Sequence, residues 1–295
     1  MIRPHHFYPN PQTQADNSFQ TTQLTTTPEA IAKAAYQEIS QAQLILESYG
    51  IKVHLFEDKG TETPDSVFPN NWFSTHSGGH IAIYPMYAQN RRLERRSDII
   101  EQLKINYRVQ DIVDYSGLEH DDIYLEGTGA MVLDHLDRVA YAVQSNRANS
   151  LALERFCTHF NYEPMLFDAS NQAGESVYHT NVLMCIASEF GLLAPEMISN
   201  SARRSEIIQR FKSSGRKVIA LTESQINKFC GNAIELQGSN GRVLALSKTA
   251  YKALTTEQKK LIKQSAQLVP IDVGTIELAG GSIRCMIAGI HLAAR

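Results

Sequence analysis

Apolar and polar positions alternate along the chain in pairs of short strands, and each pair is followed by an amphipathic helix. The stretch VFPNNWFSTHSGGHIAIYP (67–85) predicts a strand, a Gly-Gly turn and a second strand. The next segment, RRLERRSDIIEQLKINY (91–107), predicts a helix because its apolar residues recur at near-helical spacing. Those apolar residues are Leu93, Ile99, Ile100 and Leu103.

The same order of elements returns three more times, in the stretches that begin YLEGTGAMVL, VYHTNVLMCI and KFCGNAIELQ. Aligning the first strands, with the C-terminal GGSIRCM as a fifth copy, puts five positions in register at intervals of 58, 52, 51 and 52 residues. These positions are Asn71, Gly129, Asn181, Asn232 and Arg284. The helix missing from the last copy is supplied by residues 27–57, which read as a helix and then a strand. Thr27 is the expected N-cap, Pro28 the first helical residue and Gly50 the residue after the helix.

The chain therefore reads as five β-β-α-β units, with the N-terminal helix and strand completing the last one. Repeats of this length are typical of radial or solenoid arrays, and the complementary ends favour a closed ring. We predict an α/β fold, a five-bladed pseudo-symmetric α/β propeller that forms a single domain over residues 1–295. The alternative is an ordinary α/β sheet with coincidental spacing.

The composition of the chain limits the classes of partner that it is expected to bind. The 295 residues are 43% hydrophobic and 20% charged, with a net charge of -3, which is typical of a globular protein and disfavours nucleic acid as a partner. The basic stretch RRLERR (91–96) is expected to be a solvated helix face. No apolar run reaches the ~18 residues of a membrane helix, and the N-terminus lacks the apolar core of a signal peptide. We expect a cytoplasmic protein with a small-molecule partner, and self-association as a homodimer is left open.

The four cysteines form no C-x-x-C pair and lie near no histidine cluster. A structural zinc site and a disulfide framework are both disfavoured, so neither a metal nor another cofactor is expected.

Polar residues interrupt the apolar first strands of the repeat, and they include Glu126, His179 and Cys285. Each alone has an ordinary structural explanation, such as a hydrogen-bonded core histidine or a small buried thiol. Because a buried polar group is costly without a partner, their recurrence on one strand of the repeat predicts a shared site. A thiolate attacks electrophilic carbon, a histidine transfers protons, and a carboxylate binds N–H groups or orients the imidazole.

Five motifs in this order resemble the guanidine-modifying (amidinotransferase, or pentein) superfamily, and the resemblance spans essentially the whole chain. The motifs are PDSVFPNNWFSTH (64–76), LEGTG (125–129), QSNRAN (144–149), VYHTNV (177–182) and GGSIRCM (280–286). Relatives include dimethylarginine dimethylaminohydrolase, arginine deiminase and glycine amidinotransferase, and the nearest match is to citrulline-utilisation hydrolases.

The resemblance implies Cys285 as nucleophile, His179 as general acid/base and Glu126 as the carboxylate that contacts substrate nitrogen. It also implies that Asp65 holds the guanidinium or ureido group and that Arg147 receives the α-carboxylate. Arg92, or else Arg91, would be a second carboxylate contact, and Phe68 in the first motif is expected to line the substrate site.

Two asparagines depart from the pattern of several relatives, which carry acids at the positions of Asn71 and Asn181. A guanidinium offers only donors, whereas a ureido group has a carbonyl acceptor that an amide can satisfy. We therefore expect both asparagines to contact substrate and favour citrulline, cleaved to ornithine, ammonia and carbon dioxide through a covalent Cys285 intermediate.

The alternatives are an arginine deiminase or dimethylarginine dimethylaminohydrolase, an amidinotransferase, and a non-catalytic pentein that binds a ligand. Residues 10–20 are polar and lack periodicity, so both a lid over the site and a surface loop remain open.

Overall fold

A computed structural model describes residues 1–21, 24 and 26–295 of the chain. Its strands form five separate sheets, and the architecture is α/β. Four of these sheets have three strands each and follow the predicted β-β-α-β order.

The four units share one design, in which an antiparallel hairpin is extended by a parallel third strand after a helical crossover. The first comprises β3 (Phe73–His76), β4 (His80–Ile83), α2 (Ser97–Asn106) and β5 (Asp111–Asp114). The second comprises β6 (Met131–Asp134), β7 (Val139–Val143), α4 (Ser150–Phe160) and β8 (Glu163–Phe167). The third comprises β9 (Met184–Ile186), β10 (Phe190–Leu193), α6 (Ser201–Ser213) and β11 (Lys217–Ala220). The fourth comprises β12 (Ile234–Gly238), β13 (Gly241–Ser247), α8 (Lys248–Ala253), α9 (Thr256–Ile262) and β14 (Gln267–Ile271).

Short helical segments precede or join these strands. Three are helices of a single turn, α3 (Gly127–Ala130), α5 (Thr180–Leu183) and α7 (Glu223–Ile226). The others are 3-10 helices at Pro69–Asn71, Gln89–Glu94, Ser116–Asp121, Pro195–Met197 and Ile276–Ala279.

The fifth sheet differs from the prediction. It contains only β1 (Ile2–Pro4) and β2 (Phe56–Asp58), which pair in parallel around α1 (Pro28–Ser48). The C-terminal copy of the repeat supplies no strand, because residues 283–286 form a turn. The predicted helix boundaries are confirmed: Thr27 caps α1 by accepting from Ala30 N, Pro28 is the first residue, and Gly50 has φ +78°.

The two ends of the chain pack together, as the repeat predicted. Residues at i, i+4 spacing on α1, including Ile31, Ala35 and Ile39, lie in one core cluster with Ile283 and Met286. Such spacing aligns one apolar stripe of the helix with the core. None of the helices in the described part of the chain combines the length and apolarity needed to cross a bilayer.

The stretch RRLERR is not the solvated helix face that we expected. Helix α2 begins only at Ser97, and residues 89–94 form a 3-10 helix in which Arg91 and Glu94 are buried while Leu93 is 59% exposed. In a 3-10 helix the side chains at i and i+3 eclipse each other. Positions 91 and 94 therefore share the buried face, and Leu93 points outward.

Candidate active site

The residues that the repeat placed on first strands lie instead in the short helical turns just before those strands. Glu126 immediately precedes α3, His179 immediately precedes α5, and Asn71 ends the 3-10 helix before β3. Helix α3 packs against both the Pro69–Asn71 turn and α5. Cys285 belongs to the turn at 283–286 rather than to a strand. A turn at the end of a strand can direct its side chains along the strand axis, so these turns converge although the strands lie in different sheets.

Close approach between these turns requires glycine at position 129. A Cβ built on Gly129 would lie 2.1 Å from the side-chain amide of Asn71 and 2.9 Å from His179 Nδ1. Neither neighbour could retreat without leaving the site, so an alanine there would displace the histidine.

His179 and Glu126 form a buried pair, with 2.8 Å between His179 Nε2 and Glu126 Oε2. Glu126 Oε1 accepts from the backbone N–H of Tyr87 at 3.0 Å, and Arg91 and Arg147 each lie 3.6 Å from Oε2. The Glu126 side chain is therefore fully engaged by protein groups. In this position it can orient the imidazole, and the contact to substrate nitrogen that the resemblance implied stays a prediction.

Electrostatics make this pair an ionised carboxylate and a neutral imidazole. Burial opposes ionisation of Glu126, but Arg147, the His179 hydrogen bond and Arg91 together hold its pKa well below the usual range. Burial lowers the pKa of His179 to about 4, with Arg147 and Arg91 adding to the effect and Glu126 opposing it. With Nε2–H donated to Glu126, the lone pair of the neutral ring lies on Nδ1.

Cys285 is buried, and its sulfur accepts two amide hydrogen bonds. Asn181 Nδ2 and Asn232 Nδ2 each lie 3.2 Å from Sγ. Asn232 is itself fixed, because its Oδ1 accepts from the backbone N–H of Arg284 at 3.0 Å. Two amide donors thus point at one sulfur, and the anionic form of a cysteine is the nucleophilic one.

The turn before Cys285 is shaped by its two glycines. Gly280 has φ +79°, and a Cβ on Gly281 would lie 2.7 Å from the Phe68 ring. The two glycines of the GGSIRCM motif thus allow the Cys285 turn to approach Phe68 closely, because neither carries a side chain.

A buried ion network surrounds Arg91. Its guanidinium donates to both oxygens of Glu94 at 2.9 Å, lies 3.7 Å from Asp65, and donates to Asn71 Oδ1 at 2.9 and 3.1 Å when that amide is oriented to satisfy both of its groups. Burial raises the pKa of Glu94 to about 7 against the opposing charge of Arg91. Burial likewise raises the pKa of Asp65, although Arg91 and Asn10 oppose it. Asp65 Oδ1 has no hydrogen-bond partner among the described residues, so one buried acceptor remains free.

Residues 10–20 cover this network, so the lid alternative fits the structure. Arg147 is buried and its Nε donates to Asp16 Oδ2 at 3.0 Å, with a second bond from its NH2 to Asp16 Oδ1. Asn10 Nδ2 donates to Asp65 Oδ2 at 2.9 Å, and Asn17 Nδ2 donates to the carbonyl of Ala279 at 3.1 Å. We call residues 10–20 the strap.

The cavity beside the sulfur is nearly filled. Its volume is about 10 Å³, and a cavity needs roughly that much to hold a single water. It is lined by Asn17, Asp65, Phe68, Asn71, Arg91, Arg147, Tyr178, His179, Ala279, Gly281 and Cys285. An amino-acid substrate therefore requires the strap to move.

Most residues implied by the resemblance line this cavity, but three do not. Arg92 lies outside, with Nε 3.1 Å from the Met86 carbonyl and 3.6 Å from Glu119, while its neighbour Arg91 occupies the site. Asn181 lies behind the sulfur rather than in the cavity lining, because its amide is used by Cys285. Glu126 does not line the cavity either.

Several site residues were not identified from the sequence. These are Asn10, Asp16, Asn17, Glu94, Tyr178 and Asn232 as a sulfur ligand. For Glu94 a usable signal existed, since an Arg and a Glu three residues apart can pair on one face. Asp16 gave no signal, because its partner Arg147 is 131 residues away in the chain.

Comparison with known proteins gives one family match. The family model described as N,N dimethylarginine dimethylhydrolase, eukaryotic, matches residues 3–292. No curated protein sequence matches the chain significantly.

Solved structures share the fold at low sequence identity. The N-terminal domain of ArgZ, an arginine dihydrolase from the ornithine–ammonia cycle in cyanobacteria, aligns with 16% identity and a TM-score of 0.74 over 97% of this chain and 95% of that domain. Unliganded AgrE aligns with 18% identity and a TM-score of 0.76, over 97% of this chain and 38% of AgrE. A dimethylarginine dimethylaminohydrolase adduct with S-methyl-L-thiocitrulline aligns with 14% identity and a TM-score of 0.63, over 97% and 96% of the two chains. The chain spans 39% of the longer ArgZ chain. At these identities the likeness concerns the fold.

Proposed function

The chain belongs to the N,N dimethylarginine dimethylhydrolase (eukaryotic) family and thus to the pentein superfamily that its motifs resemble, and on that premise we propose that it is a cysteine-dependent hydrolase. Its reaction would occur at the ureido or guanidino carbon of an arginine-like amino acid. Citrulline is the substrate that we favour.

One observation carries the proposal: a sulfur with two amide donors shares a buried cavity with a neutral histidine that is oriented by an ionised glutamate. This arrangement supplies a nucleophile, a base and an orienting group, which is the pattern of covalent catalysis. Arg147 and Asp65 at the same cavity can bind the charged ends of an amino acid.

With citrulline, the Cys285 thiol proton passes to His179 Nδ1 and the sulfur attacks the ureido carbon. The bond from that carbon to the alkyl nitrogen breaks, and ornithine leaves with the proton that His179 returns. Water then adds to the S-carbamoyl group while His179 takes a proton, and the C–S bond breaks. The products are ornithine and carbamate, which yields ammonia and carbon dioxide, and the thiol is regenerated.

The preference for citrulline depends on charge. Asp65 is the single carboxylate among the residues that line the cavity, and two arginines line it as well. A neutral ureido group avoids placing a third cation there, since buried charges require partners. Asn71 is an amide in the lining of this cavity, and Asn181 donates to the sulfur.

A guanidino substrate is the second candidate, because Asp65 Oδ1 is a free acceptor suited to a donor-only group. Arginine or a methylated arginine would then lose ammonia or a methylated amine from the same carbon and leave citrulline. The family description and the arginine dihydrolase fold relatives also favour this candidate.

We further propose that the five sheets are blades around a common axis. The packing of α3 against both neighbouring turns, and of α1 against the C-terminal turn, supports a ring whose ends meet. A small-angle scattering profile with the dimensions of an elongated open array would contradict it.

The test is product identity. The protein is incubated with citrulline, arginine and N,N-dimethylarginine, and with glycine as an amidino acceptor, and amino acids and ammonia are quantified. Ornithine from citrulline, with a higher kcat/KM than that for arginine, is the expected result. Citrulline from arginine would support the second candidate, and amidinated glycine would identify a transferase.

The nucleophile is tested with Cys285→Ala, and Cys230→Ala is the matched control because Cys230 is also buried but does not line the cavity. We expect Cys285→Ala to reduce turnover by at least about 10³-fold with an unchanged melting temperature, and the control to stay near wild type. Full activity of Cys285→Ala would rule out this mechanism, and wild-type protein that binds these compounds without turnover would be a binding pentein.

A further inference from the structure

A second cavity lies on the other side of the nucleophile turn. Arg284, the residue before Cys285, lines this cavity and not the catalytic one. Its volume is about 110 Å³. Strands from several sheets contribute to its wall, which includes Thr75, His135, Cys185, Glu235 and His291.

Arg284 has no ion-pair partner among the described residues. Arg284 NH1 donates to the carbonyl of Ile287 at 3.0 Å, and across the described part of the chain no carboxylate lies within 4.0 Å of its guanidinium. The carboxylate in the wall, Glu235, accepts from the backbone N–H and the hydroxyl of Ser188 through Oε2, and its Oε1 has no hydrogen-bond partner among the described residues. Burying a cation without a counter-ion costs free energy, because the cation loses its hydration. A bound anion would offset this desolvation cost.

Two imidazoles add donors beside Arg284. The rings of His135 and His291 are 4.2 Å apart between centroids. His135 Nδ1 is 2.8 Å from the Tyr162 hydroxyl, so Nε2 is available to a ligand. Partial withdrawal from water and the positive charge of Arg284 both lower the pKa of His291. A negative charge in the cavity would relieve this repulsion.

We propose that this cavity is a binding site for a small oxyanion of the carboxylate or phosphate class. The guanidinium of Arg284 binds the anion, and the two imidazoles donate from the mouth of the cavity. Planar donor pairs of arginine match both carboxylate and phosphate oxygens.

The site is connected to the nucleophile through two hydrogen bonds. The Arg284 backbone N–H donates to Asn232 Oδ1 at 3.0 Å, and Asn232 Nδ2 donates to Cys285 Sγ at 3.2 Å. The positive charge of Arg284 belongs to the residue next to Cys285, and a bound anion offsets that charge. Occupancy should therefore slow chemical reaction of Cys285, whatever substrate the protein turns over.

The first test measures binding by titration calorimetry with inorganic phosphate, with acetate, and with chloride as the reference anion at constant ionic strength. We expect phosphate or acetate to bind more tightly than chloride, and the tighter of the two identifies the class. Arg284→Gln should abolish that difference, while Arg155→Gln, an exposed arginine on α4, should retain it. Phosphate and acetate binding no tighter than chloride would overturn the proposal.

The second test measures the rate at which iodoacetamide alkylates Cys285, read by mass spectrometry of the peptide. The bound anion should slow alkylation about three- to tenfold in wild type and have no effect in Arg284→Gln. If Arg284→Gln fails to fold, His291→Asn at the cavity mouth takes its place, with weakened binding expected. Anion binding that is unchanged in the folded variant would place the anion elsewhere and refute the assignment.

Discussion

Cys285 and Arg284 are neighbours in one turn, yet they line cavities of opposite character. At the catalytic cavity each arginine has carboxylate partners within the chain, with Arg91 bound by Glu94 and Arg147 bound by Asp16. At the other cavity Arg284 has a carbonyl partner only, as far as the described residues extend. The first cavity is closed to about 10 Å³ and the second has about 110 Å³.

The difference shows two ways in which a protein accommodates an arginine that is buried from water. At the catalytic cavity, carboxylates of the chain neutralise the arginines but fill the cavity. A substrate can therefore bind only if the strap moves away. An uncompensated cation leaves the space open for a ligand. The strap is therefore part of the electrostatics of the catalytic cavity, because Asp16 occupies the arginine that is expected to receive a substrate carboxylate.

The largest effect should come from removing the carboxylate that His179, Arg91 and Arg147 share. Glu126→Gln leaves Arg91 and Arg147 without that counter-charge and no longer fixes one tautomer of His179. We expect kcat to fall about 10³- to 10⁴-fold with the best substrate in a steady-state assay. Glu101→Gln, on the exposed face of α2, is the control and should stay near wild type. A decrease below tenfold would mean that the imidazole is held by other groups.

The next effect concerns the amide groups that donate hydrogen bonds to the sulfur of Cys285. Asn232→Ala removes one donor to Sγ and the contact to the Arg284 backbone, so the alkylation rate of Cys285 should fall about 10- to 100-fold. The measurement is iodoacetamide labelling at fixed pH, and Asn227→Ala at an exposed position is the control. An unchanged rate would show that these hydrogen bonds do not stabilise the thiolate.

A smaller effect tests whether the strap competes with substrate. Asp16→Asn weakens the bond to Arg147 and raises the population of open molecules, so KM should decrease about three- to tenfold. Asp121→Asn, an exposed acid, serves as the control. A higher KM would instead mean that Asp16 contacts the substrate directly.

The smallest effect is on pH dependence. Because burial and the two arginines lower the pKa of His179 to about 4, the acid limb of kcat/KM should lie near pH 4 rather than at the ordinary histidine value of about 6.5. Between these values the unfolded chain takes up a proton at this histidine that the native protein does not. Its contribution to stability therefore declines as the pH falls from about 6.5 towards 4. A pH–rate profile with an acid limb near 6.5 would show that burial and the two arginines do not lower the pKa of His179 in the working protein.

The sequence predicted the units and the central residues because both depend on local or regularly spaced patterns. Strand alternation, the cap at Thr27 and the 51- to 58-residue spacing need no knowledge of distant contacts. The same spacing brought Glu126, His179 and Cys285 into one set; in the structure Glu126 bonds to His179, and His179 and Cys285 line one cavity. The sequence did not show that they lie in turns before the strands, because a single turn of helix is too short to give a periodic signal.

Tertiary structure decided which partner each side chain has. Arg91 faces the cavity and Arg92 does not, because a 3-10 helix eclipses positions 91 and 94 and turns position 92 away. Asn181 donates to the sulfur of Cys285, and Asp16 pairs with Arg147, which is 131 residues away in the chain. Such pairings depend on distances between separate sheets, and no pattern along one chain encodes those distances. The chain itself determined the chemical groups at this site, and the packing of its turns determined which of them meet.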